Sequence, residues 1–226
     1  MSNDSSWEKV KKGWNWIWNS DSVWSWLVAL LVIFVFVKFI FFPILSIILG
    51  TSLPLAGVES SSMDHQITES GLGSLSICGS YGGAKDYLDF EGYWDICGEW
   101  YEDHEINKNK FRSFPLRNGF NKGDIVVVYG RFSPELGDVI IFKPNLESLA
   151  PRPIVHRIVN LEEVNNELVM GTKGDHNADQ LTKSNNALRT DETNIKEDQI
   201  IGKVVFRIPY LGWLKIWVTE LINWVF

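Results

Sequence analysis

Residues 24–50, WSWLVALLVIFVFVKFIFFPILSIILG, constrain this chain more than any other segment. At ~1.5 Å per residue the stretch reaches roughly 40 Å as a helix, longer than the ~30 Å hydrocarbon core of a bilayer. Lys38 is its one charge. The stretch therefore predicts a transmembrane anchor over 23–50. It is too long for the apolar region of a signal peptide, and no small-residue cleavage site closes it. Lys38 is expected to snorkel toward the nearer interface. Pro43, which has no backbone donor, is expected to kink or end the helix.

The flanks set an orientation. Lys9, Lys11 and Lys12 precede the apolar stretch, and the next basic residue after Lys38 is Lys85. Positive-inside bias then places the N-terminus in the cytosol and everything from about residue 51 outside it. Tryptophan follows the same division: six of the 11 lie in the first 26 residues and three in the last 14. Indole, apolar with a single N–H donor, is at home at a membrane–water interface. Residues 1–22 are read as a cytosolic interfacial helix, with Trp7, Val10, Trp14, Ile17 and Trp18 on one face. Residues 211–226 place Lys215, Thr219, Glu220 and Asn223 on one polar stripe and are read as a membrane-surface amphipathic helix. A second span is the alternative reading of that segment.

Between these ends the pattern is β. GDIVVVYG (123–130), GDVIIFK (137–143), PIVHRIV (153–159), ELVMGTK (167–173) and IIGKVVFRI (200–208) are β-branched runs bounded by Gly, Pro, Asn and Asp. They predict a mainly β domain over 51–210, an antiparallel barrel or packed sheets. Residues about 65–122, rich in Gly, Tyr, Trp and acids, break the rhythm and read as an insertion. Its aromatics either cover a groove, dip into the membrane or pack as a satellite core. Residues 176–198 read as a second polar loop. With 21 basic and 28 acidic residues the chain carries a net charge of −7, which argues against nucleic acid as a partner. Cys78 and Cys97, both in the insertion and on the side assigned outside, are expected to form a disulfide. These cysteines with His65 or His104 lack any standard metal-ligand spacing, so no metal is expected.

A serine run, Ser60-Ser61-Ser62, follows the anchor and precedes Met63. A serine hydroxyl needs a base to act as a nucleophile. Of the histidines at 65, 104, 156 and 176, only His156 lies in a predicted strand. Asp175 ends the next strand, in Thr-Lys-Gly-Asp. Two adjacent antiparallel strands bring such residues near each other, and an Asp on one ring nitrogen leaves the other to take a serine proton.

The order of these motifs resembles the type I signal peptidases, in their archaeal and endoplasmic-reticulum branch. The matching segments are LGTSLP (49–54), ESSSMDH (59–65), KGDIVVV (122–128), LGDVIIF (136–142), PIVHRIV (153–159), TKGDHN (172–177), GKVVF (202–206) and IPYLG (208–212). The resemblance implies a signal-peptidase-type antiparallel β-sheet catalytic domain on a single N-terminal membrane helix. It implies Ser62 as nucleophile, His156 as general base where the bacterial branch has lysine, and Asp175 as the acid that orients His156. Ser60 is a supporting oxyanion-hole hydroxyl, Met63 a substrate-binding position, and Asp179 or the more remote Asp191 a second acid. His65 stands where many relatives have proline. The implied activity is removal of signal peptides from translocated preproteins at a cell or endoplasmic-reticulum membrane. No cofactor is implied; the lipid bilayer and the secretion translocon are the implied surroundings. The competing expectation is a non-catalytic, membrane-anchored β-barrel binding or assembly module of the same fold.

Overall fold

The structure, a computed structural model, describes residues 3–69, 75–81 and 86–212. The chain divides into two compact units, Met1–Ile48 and Leu49–Phe226. The first is helical: α1 (Asn3–Asn19), α2 (Val23–Phe36), a π-helical segment (Val37–Phe41) and α3 (Phe42–Leu49). Val23–Leu49 runs as one apolar helix whose most apolar 18-residue stretch has a mean hydropathy of 2.9, long and apolar enough to cross a membrane. Pro43 does not end it. Proline lacks the N–H that would bond Phe39 and its ring crowds that carbonyl, and the helix widens to a π turn just before it. Lys38, in that turn, lies over the rings of Phe34 and Phe39 at 5.6 and 5.5 Å. Trp7, Trp14, Trp16 and Trp18 of α1, and Trp24 and Trp26 of α2, are exposed.

The second unit opens with β1 (Leu55–Gly57). The small strands β2 (Thr68–Glu69), β3 (Leu75–Ile77) and β4 (Ser80–Tyr81) and the helices α4 (Phe90–Asp103) and α5 (Lys108–Arg112) follow. The chain continues with β5 (Ile125–Tyr129), β6 (Val139–Phe142), β7 (Ile154–Val164), β8 (Glu167–Lys173), β9 (Ile195–Lys196) and β10 (Ile200–Ile208). Seven of the strands form one antiparallel sheet in the order β1-β5-β10-β6-β7-β8-β9, curled as a half-barrel. All five β-branched runs of the sequence are strands of it. The helix expected over 211–226 lies, beyond Gly212, outside the described residues.

Both faces of the sheet are covered, so β6 is buried at all four positions. Val139 and Ile141 look into one core with Val58, Met63, Phe120, Val126, Val128 and Val204. Ile140 and Phe142 look into another with Ile158, Met170 and Ile195. This two-sided core follows from the alternation of side chains along a strand.

The insertion is structured. β2, β3 and β4 form a separate three-stranded sheet. Asp89 caps α4 by accepting from the Gly92 N–H at 2.8 Å. Tyr93, Trp94, Cys97, Gly98 and Tyr101 are buried along one helical stripe. They pack with Ile67, Ile77, Phe111 and Phe114 as a satellite core. Cys78 and Cys97 are joined in a disulfide. Of the three readings of the insertion's aromatics, the satellite core is the one found for Tyr93, Trp94 and Tyr101.

Candidate active site

Ser62 follows β1 in a loop that is fixed at both ends. Upstream, Val58 exchanges backbone bonds with Asp124 and Gly123, both at 2.9 Å. Downstream, Met63 is buried in the sheet core, and its carbonyl accepts from Phe120 N at 3.0 Å. Gly119, in a left-handed conformation at φ +64°, allows that approach. A Cβ there would lie 2.2 Å from the Met63 oxygen. The half-buried Ser62 side chain is thus carried on an immobilised turn. Ser62 Oγ lies 3.2 Å from Ser60 Oγ, and among the described residues Ser60, not His156, is its hydrogen-bond partner.

His156 is buried on β7, paired with Ile140 of β6. The turn after β8 brings it to the serine loop. Gly174 packs against both: a Cβ built on it would lie 2.7 Å from the Ser62 carbonyl oxygen and 2.8 Å from His156 Nε2. The same turn donates His176 N to the Ser62 carbonyl at 3.0 Å. The Gly174 carbonyl is itself held by Asn177 N at 3.0 Å and by Lys173 Nζ at 3.1 Å. The serine main chain and the Nε2 side of His156 therefore converge on one glycine.

The acid facing His156 differs from the one expected. His156 Nδ1 is hydrogen-bonded to Glu192 Oε2, and Asp175 bonds elsewhere. The reason is the register of β7 and β8. Arg157 is opposite Lys173 and Ile158 is opposite Thr172. Continued past Lys173, this register puts Asp175 on the Arg157 face and Gly174 opposite His156. Directly opposed residues share a face and successive residues alternate. Asp175 thus points away from His156, while Thr172 points with it. Asp179 accepts from Trp100 Nε1 at 2.9 Å, and Asp191 accepts from Thr193 Oγ1 at 2.7 Å; neither meets His156. No spacing in the sequence marked Glu192, one acid in a polar loop 36 residues from His156.

On the other face Asp175 is the centre of a buried ionic knot. Arg157 donates to it twice, Nε to Oδ1 at 2.9 Å and Nη2 to Oδ2 at 2.7 Å. Its remaining donors reach the carbonyls of Pro115, Gly137 and Leu116 at 2.8–2.9 Å. All five guanidinium N–H groups are used. Burial alone would raise the Asp175 carboxyl, but the Arg157 charge and the hydrogen bonds from His65 and Arg157 hold it well below the ordinary carboxylate range. Burial lowers His65 against the pull of Asp175. The neutral ring donates Nε2–H to Asp175 Oδ2 at 3.2 Å and stacks on Tyr93, centroids 3.6 Å apart. Tyr93 also donates its hydroxyl to the Asp175 carbonyl at 2.8 Å, and Cys78 N donates to the His176 carbonyl at 2.9 Å. The disulfide-bonded insertion is in this way fastened to the turn that holds Gly174. Lys173 is buried beneath Trp100 and Tyr101, 4.9 and 5.1 Å from their rings. Burial lowers its ammonium to about 8, partly offset by Asp175, Glu192 and Asp179.

The other two histidines are occupied: His176 Nδ1 is 2.7 Å from Asp64, and His104 stacks on Trp100. Among the described residues there is no group of three His, Cys, Asp or Glu placed to hold a metal ion.

No protein-family model matches the chain. It is 32% identical over 111 residues to the signal peptidase complex catalytic subunit SEC11 of Lachancea thermotolerans, covering 46% of this chain and 61% of that protein. Identity to the same subunit of Candida tropicalis is 33% over 107 residues, with the same coverage. In Schizosaccharomyces pombe it is 37% over 100 residues, covering 42% of this chain and 47% of that one. The chain thus spans about half to three-fifths of the length of these curated relatives.

Proposed function

We propose that this chain, similar in sequence to the catalytic subunits of signal peptidase complexes, is a membrane-tethered serine endopeptidase that removes signal peptides from translocated preproteins. The observation that carries the reading is the convergence of Ser62 and His156 on Gly174 in a chain with that similarity. Ser62 Oγ attacks the scissile carbonyl while His156 Nε2 takes its proton. His156 then gives that proton to the leaving amine, and a water hydrolyses the acyl-serine by the same relay. The Ser60 hydroxyl and the Ser62 N–H are the donors to the oxyanion, which carries the new charge in the tetrahedral state. The Ser62–His156 hydrogen bond forms when substrate seats, as catalytic bonds commonly tighten in the Michaelis complex. Asp175, locked to Arg157, acts through the Gly174 turn by holding it against the serine loop. No cofactor enters this chemistry.

On this reading Val23–Leu49 is the single span, the N-terminus is cytosolic and the unit from Leu49 onward is extracytoplasmic. Tethering raises the effective concentration of a substrate whose apolar segment lies in the same bilayer. The preprotein binds as an added strand beside Ser62, and the secretion translocon delivers it. The test is cleavage of a signal-bearing preprotein by the full chain in lipid vesicles. The expected product has the mature N-terminus, and replacing the small residues before the cleavage site with bulky ones blocks it. An intact preprotein would instead favour a non-catalytic binding module on the same fold.

A further inference from the structure

We propose that Glu192 is the positioning carboxylate of this site, so that the relay is Ser62–His156–Glu192. The inference rests on the reading of Ser62 and His156 given above. Glu192 lies in the polar loop between β8 and β9, yet it is fully buried. Its backbone is clamped on both sides, with Thr172 N donating to its carbonyl at 2.8 Å and its own N donating to the Leu181 carbonyl at 2.9 Å. Its side chain is equally fixed. Oε1 accepts from Leu181 N at 2.7 Å. Oε2 accepts from Thr172 Oγ1 at 3.2 Å and faces His156 Nδ1.

Three features separate this acid from a structural one. Its ion-pair partner among the described residues is His156, whereas Asp175 is saturated by Arg157 and His65. The nearby Lys173 ammonium is felt by Glu192 but donates to the Gly174 carbonyl, so no guanidinium or ammonium among the described residues pairs directly with this buried carboxylate, which is costly to keep without a partner. Glu192 meets the side chains of Thr172 and His156, which share one face of the sheet while Asp175 lies on the other. It also points at the ring nitrogen opposite the one that faces Gly174. The carboxylate therefore requires a proton on Nδ1 and leaves the Nε2 lone pair for the Ser62 proton. In the step itself the Ser62 O–H bond breaks, the Oγ–carbonyl bond forms, and the proton sits on Nε2. Glu192 stabilises the resulting imidazolium without taking a proton.

Glu192→Gln is the informative variant. Its amide oxygen still accepts from Leu181, but its NH2 group now faces Nδ1 and forces the opposite tautomer, with the proton on Nε2. In the full chain, with a preprotein substrate, kcat is expected to fall about 10³–10⁴-fold with KM within about twofold. Glu192→Asp should recover at least a tenfold part of that loss. Imidazole ¹⁵N spectra should move the His156 proton from Nδ1 in the parent to Nε2 in the Gln variant. Adding Glu192→Gln to His156→Ala should cost nothing further. A Glu192→Gln enzyme with kcat within tenfold of the parent, or one whose His156 keeps its Nδ1 proton, overturns the assignment. So does a tautomer change produced by Asp175→Asn and not by Glu192→Gln. Failure of the underlying reading is seen separately, as cleavage that survives Ser62→Ala.

Discussion

Arg157→Lys is expected to lower the free energy of unfolding by about 3–5 kcal/mol, since each of three buried carbonyls left without its donor costs about 1–3 kcal/mol. Lysine keeps the charge but has three donors on one atom, so it cannot reproduce a planar fork that serves Asp175 twice and three carbonyls besides. The carbonyls of Pro115, Leu116 and Gly137 then lose their partner inside the protein. The knot also predicts the pH dependence of the parent. His65 is neutral in the fold, below its ordinary 6.5, and Asp175 is ionised, below its ordinary 3.8. For both groups the unfolded chain binds protons more readily, so their stabilisation is complete above about pH 6.5. It is lost in two stages as the pH falls, first through 6.5 and then through 3.8. Denaturant melts of parent and variant between pH 7 and pH 3 measure both effects. An Arg157→Lys protein within about 1 kcal/mol of the parent, or a parent equally stable across that range, contradicts this account of the knot.

Gly174→Ala is expected to lower kcat/KM by about 10²-fold or more while leaving a folded protein. The added methyl would lie 2.7 Å from the Ser62 carbonyl and from Asn177 Nδ2 and 2.8 Å from His156 Nε2, closer than non-bonded atoms approach. The turn must retreat, and with it the spacing of nucleophile and base. A displacement near 1 Å at a reacting pair costs on the order of 10²-fold. Overpacking at one buried position costs about 1–3 kcal/mol of stability. Initial rates of preprotein cleavage, set beside a melting curve, separate the two effects. Unchanged rates would show that Gly174 does not set the distance between Ser62 and His156.

The sheet strands were legible because β-branched runs bounded by Gly, Pro and Asp have few other conformations open to them. The apolar helix was legible from its length and lack of charge. The carboxylate on His156 was not. Choosing between Asp175 and Glu192 requires the strand register to the residue, since one step of register moves a side chain to the other face. Proximity in sequence favoured Asp175, and parity of register assigns it to Arg157. The insertion was opaque for a different reason. Its strands are two or three residues long, and the buried stripe of α4 includes a glycine, Gly98, so the apolar period was weak there and the segment reads only as an insertion. Trp94, which sequence alone left free to meet substrate or bilayer, is interior to that helix's core.

Whether Ser62 is the nucleophile is tested most directly by preprotein cleavage with Ser62→Ala. The full chain, reconstituted in vesicles, is assayed beside Ser60→Ala under the same conditions. Ser62→Ala should release no mature product above the enzyme-free rate, and Ser60→Ala should retain a rate reduced by about 10²–10³-fold, the cost of one oxyanion donor. A Ser62→Ala protein that processes the preprotein within tenfold of the parent rate would contradict the account.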